Sequence, residues 1–227
     1  MPYFLDTNVI TGYVLLLDPW YELANALFRK DKDIHSSNTV KLEFEKVTKF
    51  LLKSYRTFLV QINNELTPEQ ILTEKNFIKM VKNIQLQTIN SKKLELNQET
   101  VGHLIWETGG WYEDTATNEI IQIINDLIIQ FNTTFHSNCR KCKNLLKFHN
   151  RTKEYSEILS KFNQLRLANN KIHYPDNMIL LDAHDLALQK TIFKFITSDL
   201  KLLAFKEDIL KLTEINDMVS LQSFLST

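Results

Sequence analysis

Four acids in this chain stand where their chemistry could be shared. Asp6 closes the apolar run Tyr3-Phe4-Leu5 and precedes Thr7, Asn8 and a long apolar segment, Val9 to Leu17. Asp199 follows a second such run, Phe193-Lys194-Phe195-Ile196-Thr197-Ser198. Glu43 and Asp176 lie near the starts of two stretches with helical periodicity. Clustered carboxylates repel one another unless cations neutralise them. Hard oxygen ligands with room for water select Mg²⁺ or Mn²⁺. One or two such ions activate water and stabilise the leaving oxygen of a phosphodiester. Plainer readings exist: Asp6 or Asn8 can cap a helix, and an acid such as Glu43 is favoured near a helix N-terminus by the helix dipole. No Gly-rich phosphate loop is present, so nucleoside triphosphate binding has no support.

The elements that must position these acids read as α/β at both ends of the chain. Tyr3-Phe4-Leu5 is expected to be a buried strand that turns at Asp6 into a helix, and in open α/β sheets ligands bind beyond the carboxyl ends of the strands. Asp18-Pro19 restarts a second helix, to about Arg29. Ile34 to Ser37 reads as a short strand, and Asn38 caps a long helix. The buried stripe of that helix is Val40, Phe44, Val47, Leu51, Tyr55, Phe58 and Ile62, with Glu43 on its flank and Glu45 turned away. Near the far end, Tyr174-Pro175-Asp176 turns into a helix whose buried side carries Ile179, Ala183, Leu186 and Ala187. Asp176 shares that side, Asp182 flanks it and Asp185 points away. Phe193 to Thr197 reads as a strand, Leu200 to Lys206 as a short helix, Ile209 to Ile215 as a last edge strand, and Asp217 to Leu225 as a closing helix.

Between these ends the pattern is helical. Thr67-Pro68-Glu69-Gln70 has the form of a capping box opening a helix to about Gln87. Asn90 to Asn97 is a polar connection, Gln98 to Glu107 a short helix, and the pair Gly109-Gly110 a break. Asp114 to Phe135 and about Arg140 to Asn169 read as two more helices. The expectation is a discontinuous α/β core, residues 1–64 and 174–227, carrying an all-helical insertion over 65–173.

The four acidic segments resemble the PIN domain, a metal-dependent ribonuclease family. The resemblance rests on Phe4-Leu-Asp-Thr-Asn-Val9, on Ser37 with Glu43 six residues on, on Pro175-Asp-Asn-Met-Ile179 and on Phe195-Ile-Thr-Ser-Asp199. It covers residues 1–50 and 174–227. It implies a central parallel sheet flanked by helices in three layers, and Asp6, Glu43, Asp176 and Asp199 as catalytic ligands of one or two Mg²⁺ or Mn²⁺ ions. Asn8 and Thr197 match positions that support such a site by hydrogen bonds, and Asp182 is an alternative or additional third acid. The implied activity is endonucleolytic hydrolysis of RNA, leaving 5′-phosphate and 3′-hydroxyl ends, and a homodimer is a family-level expectation. The helical insertion departs from the compact toxins of toxin–antitoxin pairs. The alternatives are a catalytically silent scaffold whose insertion binds protein or RNA, or a toxin.

Two further clusters invite a role. His136, Cys139, Cys142 and His149 include both cysteines, and zinc accepts such ligands. The same spacings fit one helix with a shared face, and a paired ligand group further on is missing, so we read a helix face rather than a zinc site. Arg140, Lys141, Lys143, Lys147, Arg151 and Lys153, with Phe148 and His149, could track RNA or form a solvated face. Trp106 and Trp111 flank the glycine pair as core anchors or as a mobile lip.

Composition sets the outer bounds. Lys and Arg number 27, as do Asp and Glu, so nucleic-acid affinity must come from local rather than net charge. Two cysteines form no disulfide framework, which fits a reducing interior. Asp6 interrupts the first apolar stretch, which no basic region precedes, and apolar runs stay short. Neither a signal peptide nor a membrane span is expected, and a cytoplasmic protein is.

Overall fold

The structure, a computed structural model, describes residues 2–30, 33–84, 98–167, 170–189 and 194–225. The polar connection Asn90–Asn97, the end of the preceding helix at Gln87 and the first residue of the strand at Phe193 lie outside the described residues. In chain order the elements begin β1 (Tyr3–Leu5), α1 (Thr7–Val14), α2 (Tyr21–Lys30), β2 (Ile34–Ser37) and α3 (Asn38–Glu65). They continue with β3 (Ile71–Leu72), α4 (Glu74–Asn83), α5 (Gln98–Gly109), β4 (Thr115–Ala116), α6 (Thr117–Leu145) and β5 (Lys147–His149). Next come α7 (Ser156–Gln164), β6 (Arg166–Leu167), β7 (Asn170–Lys171) and α8 (Asp176–Gln189). The chain closes with β8 (Lys194–Thr197), α9 (Leu200–Leu203), α10 (Lys206–Leu212), β9 (Asp217–Ser220) and α11 (Leu221–Leu225). Two compact units result: Met1–Val14, Trp20–Thr48 and Asn138–Thr227 form one, Leu15–Pro19 and Lys49–Ser137 the other.

The first unit is α/β. Five of its strands form one sheet in the order β5-β2-β1-β8-β9, every pairing in it parallel, and β6 and β7 form a separate antiparallel pair. Parallel strands covered on both faces read as continuous apolar runs, and Phe4, Leu5, Phe195 and Ile196 are fully buried. Phe4 and Phe195 stack at 5.4 Å across the ladder. Helices α1, α2 and α11 pack together, as do α7, α8 and α10, and both groups contact the sheet or its neighbours. Register does the positioning. Leu5 pairs with Ile196 and Phe4 with His35, so Asp6, Thr197 and Ser37 end their strands at one level. The chain runs outward from β1 through β2 to β5, then returns on the other side of β1 as β8. That reversal opens a crevice at the carboxyl ends of β1 and β8.

The second unit is built on helices. Phe77, Ile78 and Val81 of α4 bury against Val101, Ile105 and Trp106 of α5. Trp106 donates from Nε1 to Trp111 O at 3.1 Å and its ring meets Trp111 edge-on, so the tryptophans anchor a core. Between them Gly110 takes φ +66°, a conformation that ends α5 and that L side chains rarely adopt.

Several expectations are corrected. The segment 65–173 is not all-helical: it holds β3 to β7, and β5 is an edge strand of the central sheet. The two helices expected over 114–135 and 140–169 are instead one helix, α6, followed by β5, α7 and the β6–β7 pair. Polar residues do not interrupt α6, because Asn132 and Thr133 return their side-chain donors to Ile128 O and Ile129 O at 2.9 Å. Thr67-Pro68-Glu69-Gln70 is a turn, not a helix start. Thr117 occupies its peptide groups: its hydroxyl donates to Thr67 O at 2.7 Å and accepts from Gln70 N at 3.2 Å. The cap of α4 is Thr73, whose hydroxyl accepts from Asn76 N at 3.1 Å. The expected edge strand Ile209–Ile215 is replaced by α10 over its first part, and the expected helix from Asp217 begins as strand β9. Short apolar runs fit both periods, and pairing of β9 with β8 over Lys194–Thr197 decides between them.

Candidate active site

Each of the four acids comes from a different element of the α/β unit. Asp6 stands in the turn from β1 into α1, Glu43 in the second turn of α3, Asp176 at the first position of α8, and Asp199 between β8 and α9. Asp6 is 4% exposed. Three donors meet it: Thr7 N reaches Oδ1 at 2.7 Å, while the Thr197 hydroxyl and Asn8 Nδ2 reach Oδ2 at 2.7 and 3.1 Å. Thr197 in turn accepts from Asp199 N at 3.0 Å, and Asn8 Oδ1 accepts from Ser198 N at 3.0 Å. Asn8 and Thr197 thereby tie the tip of β1 to the tip of β8. The Thr7 hydroxyl donates to Glu43 Oε2, which holds that carboxylate toward the same strand tip.

The acids feel one another's charge in pairs, Asp6 with Asp176 and Glu43, and Asp176 with Asp199 and Glu43. Burial pushes the Asp6 carboxyl up to about 7 against the hydrogen bond from Thr197, and the charges of Asp176 and Glu43 add to the rise. Burial also lifts Asp176 to about 7, aided by the charges of Asp199 and Glu43. Glu43 is raised by burial, opposed by the Thr7 hydrogen bond and by Lys46. Among the described residues no hydrogen-bond donor offsets the burial of Asp176. Asp199 has a second role, because its Oδ1 accepts from Lys201 N at 2.7 Å and Leu202 N at 3.2 Å and so caps α9. Two carboxylates raised to about 7, first by burial and then by neighbouring negative charge, form a place where a cation lowers the energy. Among the described residues no group of three or more His, Cys, Asp or Glu could hold a metal ion by itself. Mg²⁺ characteristically keeps several waters and takes one or two carboxylates together with substrate phosphates. Asp6 and Asp176, with Glu43 and Asp199 beside them, fit that open mode.

Asp182 has partners of its own. Its Oδ1 is 3.4 Å from Arg151 Nη1, and hydrogen bonds from Thr39 and Ser37 oppose the upward push of burial. Asp185 corrects the reading that it points away: it is 3% exposed. Thr152 N and Oγ1 donate to it at 2.9 and 2.7 Å and the Tyr155 hydroxyl at 2.6 Å. The segment leading into α7 covers that side of α8, which the helix's own periodicity could not reveal.

His136, Cys139 and Cys142 lie on α6, whereas His149 lies on β5, so the four do not share one helix. His149 Nε2 is 2.7 Å from His35 Nδ1, and burial raises the thiols of both cysteines, Cys139 to about 11. Of the basic group, Lys147 pairs with Asp33 at 2.9 Å and Arg151 with Asp182, while Lys141, Lys143 and Lys153 are exposed.

Sequence reasoning missed a cavity of about 180 Å³ next to the acids, lined by Lys171, Ile172, His173, Asp176, Asp199, Lys201, Leu202 and Phe205. The only advance signal was the pair of basic residues, Lys171 and His173, just ahead of Asp176. No protein-family model, no curated protein and no solved structure matches this chain. Among the described residues no helix is long and apolar enough to cross a membrane.

Proposed function

We propose that this chain is a metal-dependent endoribonuclease of the PIN type, hydrolysing RNA phosphodiesters at the Asp6–Glu43–Asp176–Asp199 cluster with Mg²⁺ or Mn²⁺. The observation that carries the reading is that acids from separate elements share one end of a parallel sheet at its reversal point, where burial first and the charge of neighbouring acids second raise Asp6 and Asp176 to about 7. A site with no role would gain stability by exchanging one of these acids for an amide or an apolar side chain.

The chemistry a divalent cation supplies there is activation of water and neutralisation of charge on the leaving oxygen. The rest falls to the chain. Asp6 and Asp176 would be the principal ligands, with Glu43 and Asp199 completing the negative field. Thr197 and Asn8 orient the Asp6 carboxylate through Oδ2, and Thr7 fixes it through Oδ1 while holding Glu43 with its hydroxyl. Pre-set ligands reduce the reorganisation left to the reaction.

Incubation of mixed RNA with Mn²⁺, comparing the wild type with Asp6→Asn, tests this. Cleavage by the wild type to 5′-phosphate products, lost in the variant, is the expected result. Equal cleavage by both proteins, or none by either across structured and unstructured RNAs, overturns it.

A further inference from the structure

The cavity beside Asp176 and Asp199 is lined by acidic, basic and apolar side chains together, Asp176 and Asp199 being the acidic ones. Lys171 and His173, from the β7 end and the segment ahead of α8, and Lys201 of α9 bring ammonium groups and an imidazole to its rim. Ile172, Leu202 and Phe205, all buried, supply an apolar floor. Lys171, His173 and Lys201 are exposed, so their donors can reach a ligand without leaving a buried partner. Tyr174, 78% exposed, stands at the next position after His173.

A phosphate oxygen suits the basic rim and a sugar or base face suits the floor. At about 180 Å³ the recess is smaller than the 300–1,000 Å³ of drug-sized ligand sites and matches one nucleotide at most. A base inside a duplex is stacked on both faces and paired along its edge, so only an unpaired nucleotide can enter such a recess. An exposed tyrosine next in the chain to the lining His173 offers a face on which a neighbouring free base can stack.

We propose that this cavity is a subsite for one unpaired nucleotide of an RNA strand, with Lys171, His173 and Lys201 on its phosphate. It rests on the nuclease reading above and narrows the substrate to single-stranded RNA next to the cut. Lys171, His173 and Lys201 are binding and positioning residues; they do not touch the reacting atoms.

The test is anisotropy of a short fluorescein-labelled single-stranded RNA, titrated with the full chain in chelator-containing buffer over a range of salt. The wild type binds saturably, and more weakly when the same RNA is annealed to its complement. Lys171→Ala/Lys201→Ala binds about ten-fold more weakly, with a salt slope smaller by about 1, since one phosphate contact contributes roughly 0.7 for single strands. Lys141→Ala, on the exposed basic stretch of α6, leaves binding unchanged. In cleavage assays the double variant raises KM and leaves kcat nearly as it was. Absence of saturable binding by the wild type, equal binding by the double variant, or equal binding of duplex and single strand overturns the subsite. Cleavage without lysine dependence removes the subsite and keeps the nuclease. Lysine-dependent binding without cleavage by any metal-loaded protein keeps the subsite and removes the nuclease.

Discussion

Helix α8 opens on a half-buried acid, Asp176, and carries a buried one, Asp185, in its second half, and the two are treated oppositely. Asp185 receives hydrogen bonds from Thr152 N and Oγ1, from the Tyr155 hydroxyl and from Gln189 Nε2. Burial alone would raise it, yet these bonds hold it below the ordinary aspartate value. Among the described residues Asp176 has no such donors, and burial, with the charges of Asp199 and Glu43, raises it to about 7. The contrast separates two uses of a carboxylate on one element. One is satisfied by the protein and joins α8 to the segment leading into α7. The other is left for something the chain does not contain, a proton or a cation.

Substitutions that make the two acids alike would break this contrast. The largest effect expected is on cleavage: Asp176→Asn and Asp6→Asn lower it by more than the roughly 100-fold seen when an outer partner of a metal ligand is removed, whereas Asp185→Asn keeps the metal response. Manganese-dependent cleavage rates check this, and equal losses at Asp176 and Asp185 would erase the distinction.

Stability against pH comes next. Asp6 is raised from 3.8 to about 7, so the folded state keeps its proton over a range where the unfolded chain has lost it. The metal-free protein should therefore lose stability as pH rises from about 4 to 7, by roughly 4 kcal/mol at most. Asp185 has the reverse sign, its contribution being present at neutral pH and lost as pH falls through its depressed value. Urea unfolding in chelator, repeated with Mn²⁺, reads both: the ion should abolish the first dependence and leave the second.

A smaller loss attends Asp185→Ala, about 1–2 kcal/mol of unfolding free energy, because part-buried donors from Thr152 and Tyr155 lose their acceptor. The matching change Asp176→Ala should cost little or stabilise, since it removes repulsion rather than bonds. Denaturant midpoints measured side by side decide. Smallest is Thr197→Val, which deletes the donor on Asp6 Oδ2 and the acceptor of Asp199 N. It should weaken Mn²⁺ binding by about 10-fold, at the low end for such partners, and calorimetric titration measures it.

Much of the site was legible locally. An acid at the end of an apolar run that turns into a helix is a local pattern, and Asp6 and Asp199 carry it. Glu43 lies half-buried on α3 and Asp176 opens α8, as helical spacing predicts. Asp185 was illegible because its burial depends on Thr152 and Tyr155, roughly a helix-length away in sequence. His149 was assigned to a helix because Lys147 to His149 is too short for periodicity to speak. The basic rim of the cavity escaped notice because Lys171 and Lys201 converge only after folding.

By itself the sequence determined the α/β character of the chain ends, the strand-tip acids, and their supporting Asn8 and Thr197, because these depend on short-range alternation, turns and caps. Tertiary structure decided which acids meet and which are satisfied. It also decided that β5 joins the sheet, and that α10 and β9 replace a strand and a helix. Those outcomes depend on which donors, strands and charges arrive from distant segments, and a local pattern contains no information about partners it does not touch.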